Sequence, residues 1–374
     1  MSLVARKEQE LTCKLSSLEQ ELNWWMELSA AGKPFEKHYS QIRRIRTQLQ
    51  QTRTSLGTTL SQYAREGKLL AQCRKFEVML LELHRVWDFF RSKLAQRGVE
   101  LFMPYLAVAD ELAWACYKPA REAVPKSQQE KLKQPPLVFF SPRSTPFTLE
   151  RDRSYLTDVA PGASLKNEDL VQVLKAMPFS VVGIPWFQAW HLPDVLIVAH
   201  EVGHSVELDF GLTETIAELI RGVVQEPERQ SAWLAWAGEI FADVYGVFSA
   251  GPAYVSALMD FLARDPQEIS VEERSSADWK IYPTDDLRVV FALETLSAFG
   301  FASESDDLKQ AWRTDFRERA MPVEFEADAR EVAKALVRGP YKGLGGKSLE
   351  QLGSFSKQDQ QQAAKIRDDL LGGV

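Results

Sequence analysis

The residues best suited to chemistry lie in LPDVLIVAHEVGHSVEL, from Leu192 to Leu208. There, His200-Glu201-Val202-Gly203-His204 sets two imidazoles four residues apart, with a carboxylate between them. On a helix, side chains at i and i+4 leave one face with their Cβ atoms about 5–6 Å apart. From that face each imidazole can bring a nitrogen to about 2.0–2.1 Å from one zinc ion. Glu201 lies to the side of such a metal, where a carboxylate can take a proton from a water that the metal acidifies. The plain alternative is two ordinary histidines in an apolar helix. A buried histidine pair around a buried glutamate is costly there without a metal or partners. The chain has only five histidines, so this pattern is informative.

A catalytic zinc needs a third protein ligand and one open position. A metzincin-type continuation would put glycine at 207 and histidine at 210, but the chain has Glu207 and Phe210. No histidine follows His204, so a downstream third ligand must be a carboxylate. The best source is SAWLAWAGEIFADVYGVFSAG, from Ser231 to Gly251. It reads as a helix with Ser231 as N-cap and Gly251-Pro252 as its stop. Glu239 and Asp243 share a face of this otherwise almost wholly apolar segment. Two carboxylates among Trp233, Trp236, Ile240, Phe241 and Val244 need a reason. Metal ligation by Glu239, with Asp243 hydrogen-bonded to a ligand histidine, supplies one. Glu207, Glu214 and Glu218 are the rivals. Glu207 is too close along the same helix, and the other two lack an aspartate four residues on.

HExxH followed by ExxxD resembles the gluzincin class of zinc metallopeptidases, those with a thermolysin-like zinc site. The resemblance implies His200, His204 and Glu239 as zinc ligands, Glu201 as general base and proton shuttle, and Asp243 as the residue that orients a ligand histidine. It rests on residues 200–243 alone. The gap of 35 positions from 204 to 239 is longer than in thermolysin; position 224, at the thermolysin spacing, is Val224.

Hydrolysis by such a site also needs a donor for the oxyanion that forms on the attacked carbonyl. Tyr282 and Arg288 are the candidates, in a segment that reads as a loop, a Thr284 cap and a helix start. The competing reading is a capped surface helix whose Arg288 pairs with Asp285 or another neighbour. Tyr245 and Tyr254 are weaker candidates, since both sit at helical spacing in apolar runs. The strand-like Val181-Val182-Gly183-Ile184 is either a sheet edge that receives an extended substrate by strand addition or a core strand.

The elements that must position these groups are mostly helical. Leu11, Leu15, Leu18, Leu22 and Trp25 step by 4, 3, 4, 3. After the Ala31-Gly32-Lys33-Pro34 break, Ile42, Ile45, Leu49, Thr52, Leu56, Thr59 and Tyr63 resume that spacing. Heptad spacing on both sides of a break predicts an antiparallel, coiled-coil-like hairpin. Such an arm serves either partner docking and self-association or packing onto the body, and Trp24-Trp25-Met26 points to packing against something large. Apolar helical segments continue over 76–118. Pro119, Pro125, Pro135, Pro136, Pro142 and Pro146 mark 119–150 as a boundary, with Leu137–Phe140 as a short strand. The expected organisation is a helical region over 1–118, a linker over 119–150 and a metallopeptidase-like domain over 151–374. The fold class is mainly α with a small mixed β-sheet (α+β), a zincin-like body carrying an N-terminal helical arm.

Composition sets the outer limits. Of 374 residues, 45% are hydrophobic and 26% charged, which suffices for a full core and excludes a wholly disordered chain. Lysine and arginine total 45 against 52 aspartates and glutamates, a net charge of −7 that argues against a nucleic-acid binder with a basic surface. Cys13, Cys73 and Cys116 form no CxxC pair, and the N-terminus lacks the apolar run of a signal peptide, so a cytoplasmic setting is expected. Phe179–Ala199 is apolar enough to resemble a membrane span, but Pro185 and Pro193 break it, and it reads as buried core. The reading that results is a zinc-dependent hydrolase, a peptidase acting on a peptide or protein, with no nucleic acid or membrane partner. The alternatives are a partner-binding module with a structural zinc site, and a zinc hydrolase acting on a non-peptide amide or ester.

Overall fold

The computed structural model describes residues 1–129, 133–149, 175, 177, 179–265, 274–275, 278–279, 281–316, 323–353 and 355–373. It is mostly helical with a small mixed sheet, as the α+β reading expects. The chain divides into two units, one of Met1–Met103 with Leu149–Val181, the other of Pro104–Thr148 with Val182–Val374. The expected linker does not coincide with this division. Most of 119–150 belongs to the second unit, because its strands enter the sheet there. Much of 151–178 lies outside the described residues.

The first unit contains three long helices, α1 (Leu3–Leu28), α2 (Tyr39–Arg65) and α3 (Leu69–Ala95). Their polar contacts set the directions. Lys7 Nζ meets Glu77 Oε1 at 2.6 Å, His84 Nε2 lies 3.3 Å from the Lys14 carbonyl, and Arg91 Nη1 meets Glu21 Oε1 at 3.1 Å. Each pair is offset by 70 positions and successive pairs by a heptad, so α1 and α3 run parallel in a coiled-coil-like register. Arg53 on Glu19 and Arg46 on Asn23 make α2 antiparallel to α1. These exposed pairs mark register and contribute little stability. The stability comes from the seam of Leu11, Leu15, Leu18 and Leu22, Ile42, Ile45, Leu49 and Leu56, and Phe76, Leu80, Leu83 and Phe90, all buried. Each such side chain contributes about 1.5–3 kcal/mol relative to exposure.

The expected hairpin is therefore two-thirds of a bundle, and α3 covers its seam. In α2 the seam passes through Leu60 rather than Thr59 and Tyr63. A helix of 3.6 residues per turn drifts off a strict heptad, and the apolar Leu60 takes the buried place. Trp25 packs edge-on against Phe35 and Trp87, whereas Trp24 remains 53% exposed.

In the second unit, α4 (Met103–Ala123) is held by Tyr117 Oη donating to Asp209 at 2.7 Å and by the Cys116 carbonyl accepting from Tyr245 Oη at 2.8 Å. The sheet has the order β1-β3-β2, with β1 Leu137–Ser141, β2 Phe147–Leu149 and β3 Val181–Pro185. The strand expected at 181–184 is thus central and buried throughout, with neighbours on both sides. It has no free edge for strand addition. A second, two-stranded antiparallel ribbon pairs Arg274 with Trp279 and Ser275 with Asp278.

The apolar stretch 179–199 is buried mainly at its two ends. Between Pro185 and Pro193 the chain forms a 3-10 helix, Trp186–Trp190, and leaves Trp186, Phe187, Trp190 and Leu192 more than half exposed. No helix among the described residues is long and apolar enough to cross a membrane. The expected helix from Ser231 is two helices. Pro227–Ala235 is capped by Glu226, whose carboxylate accepts from the backbone N–H groups of Glu228 and Arg229, and the chain restarts at Ala237. Proline at the first helical position with an acidic cap is a stronger start than the mid-helix Ser231.

Candidate metal centre

Four helices of the second unit build the site. The HExxH helix is Val198–Asp209, and a 3-10 turn, Leu192–Ile197, leads into it with Pro193 in its first turn. It packs against the Glu239 helix, Ala237–Ala250. Gly203 makes that contact close. A Cβ there would sit 2.8 Å from the Ala242 Cα and 3.0 Å from the Tyr245 Cβ. The glycine inside HExxH thus lets the two backbones approach until side chains from both reach one point. The Glu239 helix stops at Gly251, whose φ of 56° suits glycine, and Pro252 opens the Tyr254 helix, Pro252–Leu262. The Arg288 helix, Asp285–Ala298, completes the set. Thr284 caps it, its Oγ1 accepting from the Leu287 N–H at 3.2 Å.

His200, His204 and Glu239 bring one ligand atom each to within 4.8 Å of one another. Glu239 Oε2 is 3.3 Å from His200 Nε2, and its Oε1 is 3.6 Å from His204 Nε2. In a tetrahedron with arms of about 2.1 Å, adjacent ligand atoms are about 3.4 Å apart. Two imidazoles and a carboxylate are a donor set that suits zinc. The residues present therefore fit the ion in chemistry, and each imidazole nitrogen has a Glu239 oxygen near that spacing. Side-chain exposure rises from 8% at His200 through 11% at Glu239 to 20% at His204, so the cluster opens on the His204 side.

Burial and hydrogen bonding set the charges. Burial works against a charged His200, but its hydrogen bonds to Asp243 and Glu239 outweigh that and raise its pKa to about 10. Burial, and then the positive charge on His200, push His204 down to about 4. Glu239 is held below the usual carboxylate range despite its burial, chiefly by His200. A metal held here would take an unprotonated nitrogen from each imidazole.

Behind His200 lies Asp243, fully buried. Its Oδ1 accepts from His200 Nδ1 at 2.9 Å, Tyr254 Oη at 2.7 Å and Arg288 Nη2 at 2.8 Å. Its Oδ2 accepts from Arg288 Nε at 2.9 Å. Burial penalises the carboxylate, but the facing guanidinium and the His200 hydrogen bond hold it well below the ordinary aspartate range. The paired fork also keeps Arg288 charged inside the protein.

Glu201 is 5% exposed, and burial raises its pKa. Thr148, on the outer strand β2, donates from Oγ1 to Glu201 Oε2 at 2.6 Å and lies 3.0 Å from the Glu201 carbonyl. The threonine ties the carboxylate to the sheet and opposes part of the burial effect.

The structure thus brings His200, Glu201, His204, Glu239 and Asp243 together. Tyr282 is 53% exposed, and its hydroxyl is held above its ordinary pKa by partial burial and by the charge of Glu239, which places it in the field of the cluster. Arg288 is 7% exposed and directed to Asp243. Its helix is capped by Thr284 as the sequence suggests but is buried rather than at the surface, and Asp285 pairs with Arg264 instead. Among the rival carboxylates, Glu207 accepts from Thr213 Oγ1 at 2.8 Å, and Glu214 and Glu218 are exposed. Tyr245 is core. Sequence reasoning missed Thr148 and undervalued Tyr254. Gly246, a glycine in the middle of an apolar helix, was the signal for the second: a Cβ there would lie 2.4 Å from the Tyr254 Cζ.

No family model, no curated protein and no solved structure matches the chain. The functional reading therefore stands on the residues and their geometry.

Proposed function

We propose that this chain is a zinc-dependent hydrolase, a metallopeptidase of gluzincin type acting on a peptide or protein in the cytoplasm. The observation that carries the reading is the spacing of Glu239 from His200 and His204, 3.3 and 3.6 Å, with Glu201 beside it. A purely structural zinc site has no use for that buried carboxylate. Bound at these three residues, zinc would supply the Lewis acidity that acidifies water and polarises a carbonyl.

The protein's own groups do the rest. Glu201 takes the proton from the attacking water and later delivers it to the leaving amine. Its pKa, raised by burial, suits a group that must both accept and release a proton. Thr148 holds Oε2 of that carboxylate and leaves the other oxygen for the proton. Tyr282, half-exposed and within the electrostatic reach of Glu239, is the donor for the oxyanion. Arg288 serves by holding Asp243 rather than by meeting substrate. Free cysteines at 13, 73 and 116 accord with a reducing compartment.

The test is Glu201→Gln. Zinc content stays at the wild-type level, and cleavage of a mixed peptide library falls by about a hundredfold or more. Retained cleavage contradicts the role of Glu201.

A further inference from the structure

Tyr254 has a hydroxyl that packing alone does not explain. Its ring is fully buried, and a phenylalanine would fill the same space. A buried phenol needs a partner for its O–H, and this one lies 2.7 Å from Asp243 Oδ1 and 3.4 Å from His200 Nδ1. It stands beside the hydrogen bond that aims the His200 imidazole.

The room for that ring is specifically made. Gly246 lies in the interior of the Glu239 helix, where glycine costs about 1 kcal/mol relative to alanine. Any Cβ at 246 would lie 2.4–2.6 Å from the Tyr254 ring atoms Cζ, Cε2 and Cε1. The helix gives up stability at the one place where a side chain would expel the phenol. Asp243, for its part, is gripped from two directions. The Arg288 fork engages both oxygens, and the phenol reaches Oδ1, the oxygen that His200 uses.

We propose that Tyr254 is a positioning residue for the metal ligand His200, acting through Asp243. Its hydroxyl fixes the direction of Oδ1, the carboxylate fixes the plane of the imidazole, and Nε2 is thereby presented toward His204 and Glu239. The inference rests on the zinc reading above. Partners of this kind alter metal affinity by about 10- to 100-fold when removed.

The test compares the full-length wild type with Tyr254→Phe, which keeps the ring in its slot. Zinc affinity is measured by competition with a fluorescent chelator, melting of the metal-free protein by circular dichroism, and site geometry by the visible spectrum of the cobalt-loaded protein. The expected result is a Kd for zinc raised at least tenfold, an altered cobalt spectrum and a metal-free melting temperature close to wild type. Gly246→Ala, which expels the ring, should show the same loss of affinity. Unchanged zinc affinity and cobalt spectrum in Tyr254→Phe, with or without a lower melting temperature, assign the hydroxyl to packing and overturn the inference alone. A wild-type chain that binds no zinc overturns the metal reading, and this inference with it.

Discussion

His200 Nδ1 and Asp243 Oδ1 lie 2.9 Å apart across the contact between the HExxH helix and the Glu239 helix. This hydrogen bond ties a ligand of the candidate centre to a buried carboxylate that is itself paired with Arg288. The candidate metal centre, helix packing and a buried ion pair therefore meet at one atom, and each can be perturbed separately.

The ion pair comes first. Asp243→Ala leaves the Arg288 guanidinium buried without its partner, and an uncompensated buried charge costs about 3–5 kcal/mol. Urea unfolding of the metal-free protein should show a loss of that size. The double variant Asp243→Leu with Arg288→Met should recover most of it, because replacing both charges removes the orphan, yet zinc affinity should stay low. Recovery of zinc affinity in the double variant would show that His200 does not depend on Asp243.

Gly203 tests the packing. In Gly203→Ala the new Cβ meets the Ala242 backbone at 2.8 Å, and backbone cannot step aside as a side chain can. Overpacking costs about 1–3 kcal/mol, against a gain of about 1 kcal/mol in helix propensity. The expected net result is a loss on the order of 1 kcal/mol by urea unfolding, with a larger proportional fall in zinc affinity as the helices part. Wild-type zinc binding in this variant would mean that the close approach is not needed.

Thr148 reports on Glu201. Thr148→Val removes the donor to Glu201 Oε2 while preserving shape. A hydrogen bond to a charged group contributes about 1.5–3 kcal/mol, and the half-buried threonine places the expected loss at the lower end. Zinc content should not change, since Thr148 touches no ligand of the cluster. Denaturation at neutral pH and metal analysis of the same preparation settle both points.

The first unit should be separable from the site. Leu18→Ala opens a cavity in the α1–α3 seam, and such truncations cost about 2–5 kcal/mol. Unfolding should be destabilised by that amount while zinc affinity of the folded protein remains at the wild-type value. A fall in affinity would show the two units to be coupled.

How far the site was legible follows from the range of each contact. His200, Glu201 and His204 share one helical turn, and Glu239 and Asp243 another, so spacing alone exposed both sets. Thr148 reaches Glu201 from 53 positions upstream, on a strand of three residues, and nothing periodic links them. Arg288 stood out as an oxyanion donor or, in the competing reading, as a partner of Asp285 or another neighbour, whereas the fold delivers Asp243 from 45 positions upstream. The apolar run at 179–184 announced a strand but not its place in the sheet, since edge and central strands differ in their neighbours rather than in their own residues. In the first unit the heptads of α1 and α2 were plain. The role of α3 lay in opposite charges 70 positions apart, Lys7 with Glu77 and Glu21 with Arg91, whose meaning appears only when the two helices are set side by side.

The most direct test of the central claim is metal content. Protein purified without a histidine tag is dialysed and analysed by mass spectrometry, for the wild type and for His204→Ala and Glu239→Ala. About one zinc per chain in the wild type, lost in both variants, is the expected result for a three-ligand site. A wild-type chain that holds no metal after zinc is offered would contradict it.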